Sequence, residues 1–288
     1  MKSVGADSWD MFCGTPGFQR NIVIALMREN RIAAYLKTSV KQRTTTEYKL
    51  YEYIRSLDLK YSGIPNFQKF ESSILLSPVI GKQFNNRHKN TLLKCLSELA
   101  SKTISSITLD SYFDCINVFE RLTIFFEDSP LDSRVGESVF QNIAIEIDKK
   151  ISNLDRSMVI KTCYSLVDFT PWNSLVKDNI MYLIDLEYAC PDISLGYDLV
   201  HFFSQPWLML KDVKNNGGYS GLLSRKVSDL LIRTYGLNRS ESNLYIDLYI
   251  LQNSLRVMEL YLKQPVLHKQ GIAQLRLWQN INEIWLLD

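Results

Sequence analysis

Several features of specialised proteins are missing from this chain of 288 residues. No two of its five cysteines form a C-x-x-C pair, so the sequence offers neither a cysteine metal site nor a redox couple. Its three histidines are too scattered for a zinc site. No apolar run approaches the roughly eighteen residues of a membrane span, and the first twelve residues lack the apolar region typical of a signal peptide. We therefore expect a cytoplasmic protein with reduced thiols and no stable membrane insertion.

The chain also lacks a strong net charge. Its 33 basic and 31 acidic residues give a formal charge of +2. No overall field therefore attracts nucleic acid or an anionic membrane, and any anionic ligand must be held locally. Hydrophobic residues make up 46% of the sequence, enough for one large domain or two lobes with a sizeable core. The oligomeric state does not follow from the sequence.

The first eighty residues are rich in predicted strands. Residues 21–27 and 31–38 predict a hairpin, residues 44–57 a helix, and residues 66–70 and 73–76 two more strands. Beyond them the patterns become long and helical, including one continuous helical pattern over 109–128. We predict an α+β protein with a small, strand-rich N-terminal lobe at 1–78 and a larger, mainly helical C-terminal lobe at 79–288.

Two acids and an amide interrupt the β-prone stretch "SLVDFTPWNSLVKDNIMYLIDLEYA" (165–189). Asp168 and Asn173 fall on a loop because Pro171 breaks any helix there. Asp185 ends a β-prone run, and a hairpin would bring it back near that loop. Carboxylate and amide oxygens suit Mg²⁺, and Asp168 is then available to accept a proton from an attacking hydroxyl. The alternative is that these residues only form turns and caps.

Three motifs in this order resemble those of the aminoglycoside phosphotransferase-like small-molecule kinases, which have a protein-kinase-like fold. "LVDFTPWN" matches the Asp and Asn of the family's catalytic loop, H-G-D-x-x-x-x-N, and "DLEYA" and "DLVHF" match later motifs of a bacterial subgroup with GDFTPWN and DWEYA. The resemblance implies that Asp168 is the catalytic base and that Asn173 and Asp185 bind Mg²⁺. The sequence departs from the family at Leu166 and Val167, which stand in place of His and Gly and would bury well there.

The resemblance also implies a phosphate-covering turn and an adenine hinge in the first lobe. Gly14 and Gly17 lie just before the first predicted strand, where that turn belongs, and glycines allow backbone N–H groups to approach phosphate oxygens closely. The segment 74–79 resembles the hinge. Its backbone at Ser77 and Val79 would hydrogen-bond the adenine edge of ATP.

A lysine and a glutamate complete the implied nucleotide site. Lys37 lies near the end of a predicted strand and resembles the family lysine that pairs with the α and β phosphates of ATP. Its partner would be a glutamate on the helix that follows. Glu47 is the first choice and Glu52 the second.

Together these residues predict an ATP- and Mg²⁺-dependent kinase that phosphorylates a hydroxyl of a small molecule. The subgroup resemblance implies a sugar or a cell-surface polysaccharide precursor as acceptor, and no nucleic acid partner. Because Leu166 and Val167 depart from the family, a catalytically weak pseudokinase that binds nucleotide or acts as a scaffold is the alternative. A metal-dependent hydrolase fits less well, since the sequence shows no third carboxylate for a two-metal site. We expect Asp198 to be structural and Trp172 to be packed.

Overall fold

The computed structural model describes residues 5–13, 21–39, 43–127, 138–210, 219–262, 264, 266–267 and 269–282. The chain forms two compact units: Met1–Lys102 with Leu166–Cys190, here the first unit, and Thr103–Ser165 with Pro191–Asp288, here the second unit. Both contain strands and helices, so the α+β prediction is confirmed. The predicted lobe boundary after residue 78 stays a prediction.

The elements of the described residues are as follows. The strands are β1 (Ser8–Cys13), β2 (Asn21–Arg28), β3 (Arg31–Ser39), β4 (Ser62–Gly63), β5 (Phe67–Phe70), β6 (Ser73–Leu76), β7 (Lys82–Gln83), β8 (Ser105–Thr108), β9 (Val159–Ser165), β10 (Ser174–Lys177), β11 (Ile180–Leu183) and β12 (Cys190–Ser194). The helices are α1 (Arg43–Ser56), α2 (Lys89–Thr103), α3 (Leu109–Cys115), α4 (Val118–Glu127), α5 (Ser138–Ser152), α6 (Tyr197–Leu210), α7 (Tyr219–Tyr235), α8 (Arg239–Leu262) and α9 (Lys269–Asn282).

A five-stranded antiparallel sheet with the order β1-β2-β3-β6-β5 forms the start of the first unit. The predicted β2–β3 hairpin is confirmed, and its turn residues Glu29 and Asn30 have φ values of +51° and +59°. Two positive φ values in a two-residue turn match the right-handed twist of the strands they join. In this sheet Lys37 of β3 lies opposite Val23 on one side and Ile74 on the other.

Helix α1 packs one face on this sheet. Its buried positions Glu47, Tyr51 and Ile54 are four and three residues apart, which puts them on one side of a helix. They face the sheet through contacts of α1 with β3, β5 and β6. This packing carries one acidic residue, Glu47, into the interior beside β3.

A second sheet of the first unit, with the order β4-β11-β10-β7, contains the stretch that carries the site motifs. Strands β10 and β11 form an antiparallel hairpin in which Ser174 lies opposite Leu183. Asn173 directly precedes Ser174, and Asp185 follows Leu183 by two residues. The hairpin therefore returns Asp185 to the end where Asn173 lies.

The second unit combines the sheet β12-β9-β8 with helices α3 to α9. The continuous helix predicted over 109–128 is wrong: α3 ends at Cys115 and α4 begins at Val118. Between them Asn117 has a φ of +51°, a left-handed conformation that Asn tolerates and that ends a helix. Among the described residues, none of the helices combines the length and apolar character of a membrane span.

Candidate active site

Lys37 is the centre of a buried ion-pair cluster in the first unit. Its Nζ donates a hydrogen bond to Glu47 Oε1 at 3.0 Å and lies 2.9 Å from Glu47 Oε2. It also donates to Asp185 Oδ1 and lies 3.8 Å from Glu187 Oε2. The two predicted residues Glu47 and Asp185 therefore meet at the predicted lysine. Glu52, the second-choice partner, is exposed.

Burial and the neighbouring charges shift the pKa values of Lys37 and Glu47 in opposite directions. Burial lowers the pKa of Lys37, but the carboxylates of Glu47, Asp185 and Glu187 outweigh that effect and hold its pKa above the ordinary value. Burial raises the pKa of Glu47 to about 7, and the Lys37 ammonium opposes this. Lys37 is therefore a fixed cation at neutral pH.

Glu187 also lies in this cluster, and the sequence analysis assigned it no role. Its side chain is nearly buried, and carboxylate oxygens of Glu47, Asp185 and Glu187 lie within 4.8 Å of one another. The expectation that no third carboxylate is at hand is therefore wrong. Glu187 stands two residues after Asp185 in "DLEYA", and that spacing within the motif was the available signal. The Lys37 ammonium lies among these acids, which opposes the two-metal site of a hydrolase.

The second group of predicted residues lies on the loop before β10. Asn173 Nδ2 donates to the backbone oxygen of Asp168 at 3.1 Å and to Asp168 Oδ2 at 3.3 Å. Pro171–Asn173 forms a short 3₁₀ turn, and the backbone N–H of Asn173 donates to Thr170 O at 3.1 Å. The amide nitrogen of Asn173 thus orients Asp168. The other amide atom, Oδ1, is the type of oxygen that Mg²⁺ binds.

A strained turn holds Asp168 from the other side. Val167 has a φ of +64°, and the Asp168 N–H donates to Leu166 O at 2.7 Å. This is a three-residue γ-turn of the rare class with positive φ at its centre. A β-branched residue with that φ is a genuine outlier, whereas a glycine would adopt it without strain. Leu166 and Val167 are both buried, as predicted.

The predicted hinge is not one continuous strand, and its role stays a prediction. Strand β6 ends at Leu76, so Ser77 and Val79 lie beyond it. The Ser77 N–H donates to Asn66 O at 2.8 Å, so this backbone N–H is already engaged within the protein. Gly14 and Gly17, the predicted phosphate-covering turn, lie outside the described residues.

Two further expectations have opposite outcomes. Asp198 is buried in the second unit and accepts a hydrogen bond from Ser165 Oγ at 2.8 Å, which agrees with a structural role. The packed position expected for Trp172 is wrong, since 45% of this residue is exposed. Trp172 is the middle residue of the short turn Pro171–Asn173.

Comparisons with solved structures match small-molecule kinases over nearly the whole chain. An ethanolamine kinase from Plasmodium vivax is 12% identical with a TM-score of 0.60 and covers 96% of this chain and 82% of its own. The choline kinase LicA from Streptococcus pneumoniae is 14% identical with a TM-score of 0.58, over 98% and 95%. An aminoglycoside phosphotransferase with ADP bound is 12% identical with a TM-score of 0.57, over 96% and 94%.

Comparison of the sequence itself gives no match. No family model matches the sequence. No curated protein sequence matches it either. At identities this low the structural likeness establishes the fold and nothing finer. The chain has the protein-kinase-like fold shared by the aminoglycoside phosphotransferases and the choline and ethanolamine kinases, as its motifs implied.

Proposed function

We propose that this protein is an ATP- and Mg²⁺-dependent phosphotransferase that phosphorylates a hydroxyl of a small molecule. One observation carries the proposal: the ammonium of Lys37 is buried and binds carboxylates that are 10 and 148 residues away in the sequence. A buried lysine whose partners come from helix α1 and from the segment after β11 requires specific placement, because unpaired charge in the interior is costly. In a protein-kinase-like fold this arrangement suits a phosphate-binding lysine.

The charge balance of the cluster favours binding of a divalent cation with a nucleotide. One ammonium faces three carboxylates, which leaves an excess of negative charge when all three are ionised. The Asp185 side chain is 40% exposed and so can turn to a ligand, whereas Glu47 is buried with Lys37. We infer that Asp185 and Asn173 hold Mg²⁺, with Glu187 beside them, while Glu47 keeps Lys37 directed at the α and β phosphates.

Asp168 and several backbone groups have the remaining roles in the proposed reaction, which are proton acceptance and nucleotide binding. The Asp168 carboxylate is held by Asn173 and by the γ-turn at Val167, and it would accept the proton of the acceptor hydroxyl. Mg²⁺, when bound, would neutralise the charge that spreads over the phosphates. Gly14 and Gly17 would cover the phosphates, and the backbone at Ser77 and Val79 would bind adenine.

The proposal names the acceptor first as a broad chemical class and then as a narrower one. The neighbours named above act on ethanolamine, choline and aminoglycosides, so the broad class is a small molecule with a hydroxyl. The motif resemblance favours a sugar or a cell-surface polysaccharide precursor within that class. A cytoplasmic location fits this reaction, because ATP is available there.

Thermal unfolding with ATP, with and without Mg²⁺, tests the proposal. A ligand at a hundred times its dissociation constant stabilises the folded state by about 2.7 kcal/mol. We expect stabilisation by ATP with Mg²⁺, loss of all of it in Lys37→Met, and loss of the Mg²⁺-dependent part alone in Asp185→Asn. A well-folded wild-type protein that ATP does not stabilise under either condition would refute the proposal.

A further inference from the structure

Glu98 of helix α2 binds the backbone of the segment that joins α1 to β4. Its Oε1 accepts a hydrogen bond from the Lys60 N–H at 2.7 Å, and its Oε2 accepts one from the Tyr61 N–H at 2.8 Å. Hydrogen bonds to a carboxylate are stronger than those between neutral groups. Lys60 and Tyr61 lie between α1 and β4, outside any helix or strand. A side chain from another helix therefore fixes this segment.

Two neighbours of Glu98 on α2 contact the same segment. Cys95 Sγ accepts a hydrogen bond from Ser62 Oγ at 3.1 Å. Lys94 Nζ lies 5.0 Å from the centroid of the Tyr61 ring. Lys94 and Cys95 precede Glu98 by four and three residues, which places all three on one side of the helix. This side of α2 is thus a docking point for residues 60–62.

The docked segment supports the strand that leads to Asp185. The Met181 N–H of β11 donates a hydrogen bond to Tyr61 O at 2.9 Å. Directly after Tyr61, β4 pairs with β11 in parallel. Strand β11 ends two residues before Asp185. Tyr61 therefore receives the carboxylate of Glu98 on its N–H and holds β11 with its carbonyl oxygen.

Strand β4 depends on this support more than α1 does. It is two residues long and lies at the edge of its sheet, so few ladder bonds hold it against β11. Helix α1 is held separately, because its buried face with Tyr51 and Ile54 packs on the first sheet. Loss of the Glu98 hydrogen bonds should therefore loosen β4 and β11, while Glu47 of α1 stays beside Lys37.

We propose that Glu98 is a positioning residue for Asp185, which it keeps in place for Mg²⁺ through residues 60–63 and β11. This inference rests on the proposed function. The role is indirect, since Glu98 acts through the backbone of Tyr61 and Met181. It belongs to the Mg²⁺-dependent part of nucleotide binding, whereas the pair of Lys37 and Glu47 is held by other contacts.

The first test is a Mg²⁺ titration of ADP-dependent thermal stabilisation in wild type, Glu98→Gln and Lys94→Met. Glutamine keeps the size of the side chain but replaces one oxygen with an NH₂ group, a donor that would face a backbone N–H. Lys94→Met is the matched control, because Lys94 lies on the same side of α2 and contacts the Tyr61 ring rather than its backbone.

The expected effect is selective for the metal. Substitutions that touch neither ligand can change the coupling between sites by about 2- to 30-fold. We expect the Mg²⁺ midpoint of Glu98→Gln to rise at least about threefold, with its affinity for ADP without Mg²⁺ unchanged. Lys94→Met should match wild type in both. A general loss of structure in Glu98→Gln would instead weaken ADP binding with and without Mg²⁺ alike.

Amide hydrogen exchange in the ligand-free protein tests the structural link itself. In Glu98→Gln we expect faster exchange at Tyr61 and Met181, and unchanged exchange in β2 and β3. An unchanged Mg²⁺ midpoint, equal losses with and without Mg²⁺, or unchanged exchange at Met181 overturns the inference alone, provided that Mg²⁺ enhances stabilisation of wild type by ADP. If wild type shows no such enhancement, the proposed function fails and the inference fails with it.

Discussion

Val167 is the residue at which this chain departs most clearly from the motif it resembles. A glycine would adopt a φ of +64° without cost, whereas a β-branched side chain is strained there by roughly 1–3 kcal/mol. The same side chain is buried, and burial of a valine contributes about 1.5–3 kcal/mol. The two effects are of similar size, so packing can maintain a turn that local sterics oppose. This explains how an apolar pair can replace His and Gly.

The strain at Val167 predicts an unusual order of stability. Val167→Ala and Val167→Gly both lose the buried side chain, but only glycine removes the strain of the left-handed backbone. We expect the glycine variant to be more stable than the alanine variant in urea unfolding. Val176 is a matched control, since it is buried in β10, where glycine should be less stable than alanine by about 0.5–1 kcal/mol. An alanine variant at Val167 that is more stable than the glycine variant would contradict the strained turn.

Glu47 predicts a specific pH dependence of stability. Its pKa rises from an ordinary 4.5 to about 7 on folding, so between these values the folded state holds a proton that the unfolded chain has lost. The contribution of this group is fully present below about pH 4.5 and is lost as the pH rises to about 7. The free energy of unfolding of wild type, minus that of Glu47→Gln, should therefore fall over this window. Urea unfolding at a series of pH values measures it, and a constant or rising difference would contradict the assignment.

At the scale of elements, local patterns predicted the parts of the fold whose causes are local. The β2–β3 hairpin follows from two β-prone runs around a polar turn, and α1 follows from apolar residues at helical spacing. The break between α3 and α4 was missed because the apolar spacing continues across it. Its cause is one residue, Asn117, and a sequence pattern does not reveal which Asn adopts a left-handed conformation.

Local sequence patterns also reveal only part of the candidate site. Asp168, Asn173 and Asp185 stand out in the sequence because loop and strand signals surround them. Glu187 was quoted within a motif but received no role, because its value depends on a 3.8 Å approach to Lys37. That distance is set by the packing of β3 beside residues 150 positions later in the chain. Distances of this kind follow from tertiary structure and not from spacing along the sequence.

The segment that leads into α6 contains a glycine, Gly196, where both the backbone conformation and the nearby packing disfavour a side chain. Gly196 has a φ of +84°, and a Cβ there would lie 2.4 Å from Leu231 Cδ2. Gly236, after α7, has a φ of +69° and nothing within 4 Å of an added Cβ. Both alanine variants bear the left-handed penalty of roughly 1–2 kcal/mol, but only Gly196→Ala adds a clash. Urea unfolding should show the larger loss at Gly196, and equal losses would contradict the close approach.

At the scale of the whole molecule, the fold persists where sequence identity has fallen to 12–14%. The chain nevertheless brings a lysine, two glutamates and an aspartate together around one buried ammonium, although its net charge is only +2. Local placement of charge, and not an overall field, is therefore how this protein would bind an anionic nucleotide. The pseudokinase alternative keeps this cluster but lacks transfer, so only a measurement of transfer separates the two.

The central claim is transfer of a phosphoryl group with Asp168 as the base, and ADP formation measures it most directly. Wild type and Asp168→Asn would be compared with Mg²⁺, ATP and a panel of sugars, sugar phosphates, choline, ethanolamine and aminoglycosides. We predict that at least one acceptor stimulates ADP formation by wild type, and that Asp168→Asn binds ATP equally well but loses a factor of at least about 100 in the stimulated rate. Wild type that binds ATP with Mg²⁺ yet forms no additional ADP with any acceptor, or an Asp168→Asn variant that keeps the stimulated rate, would contradict the claim.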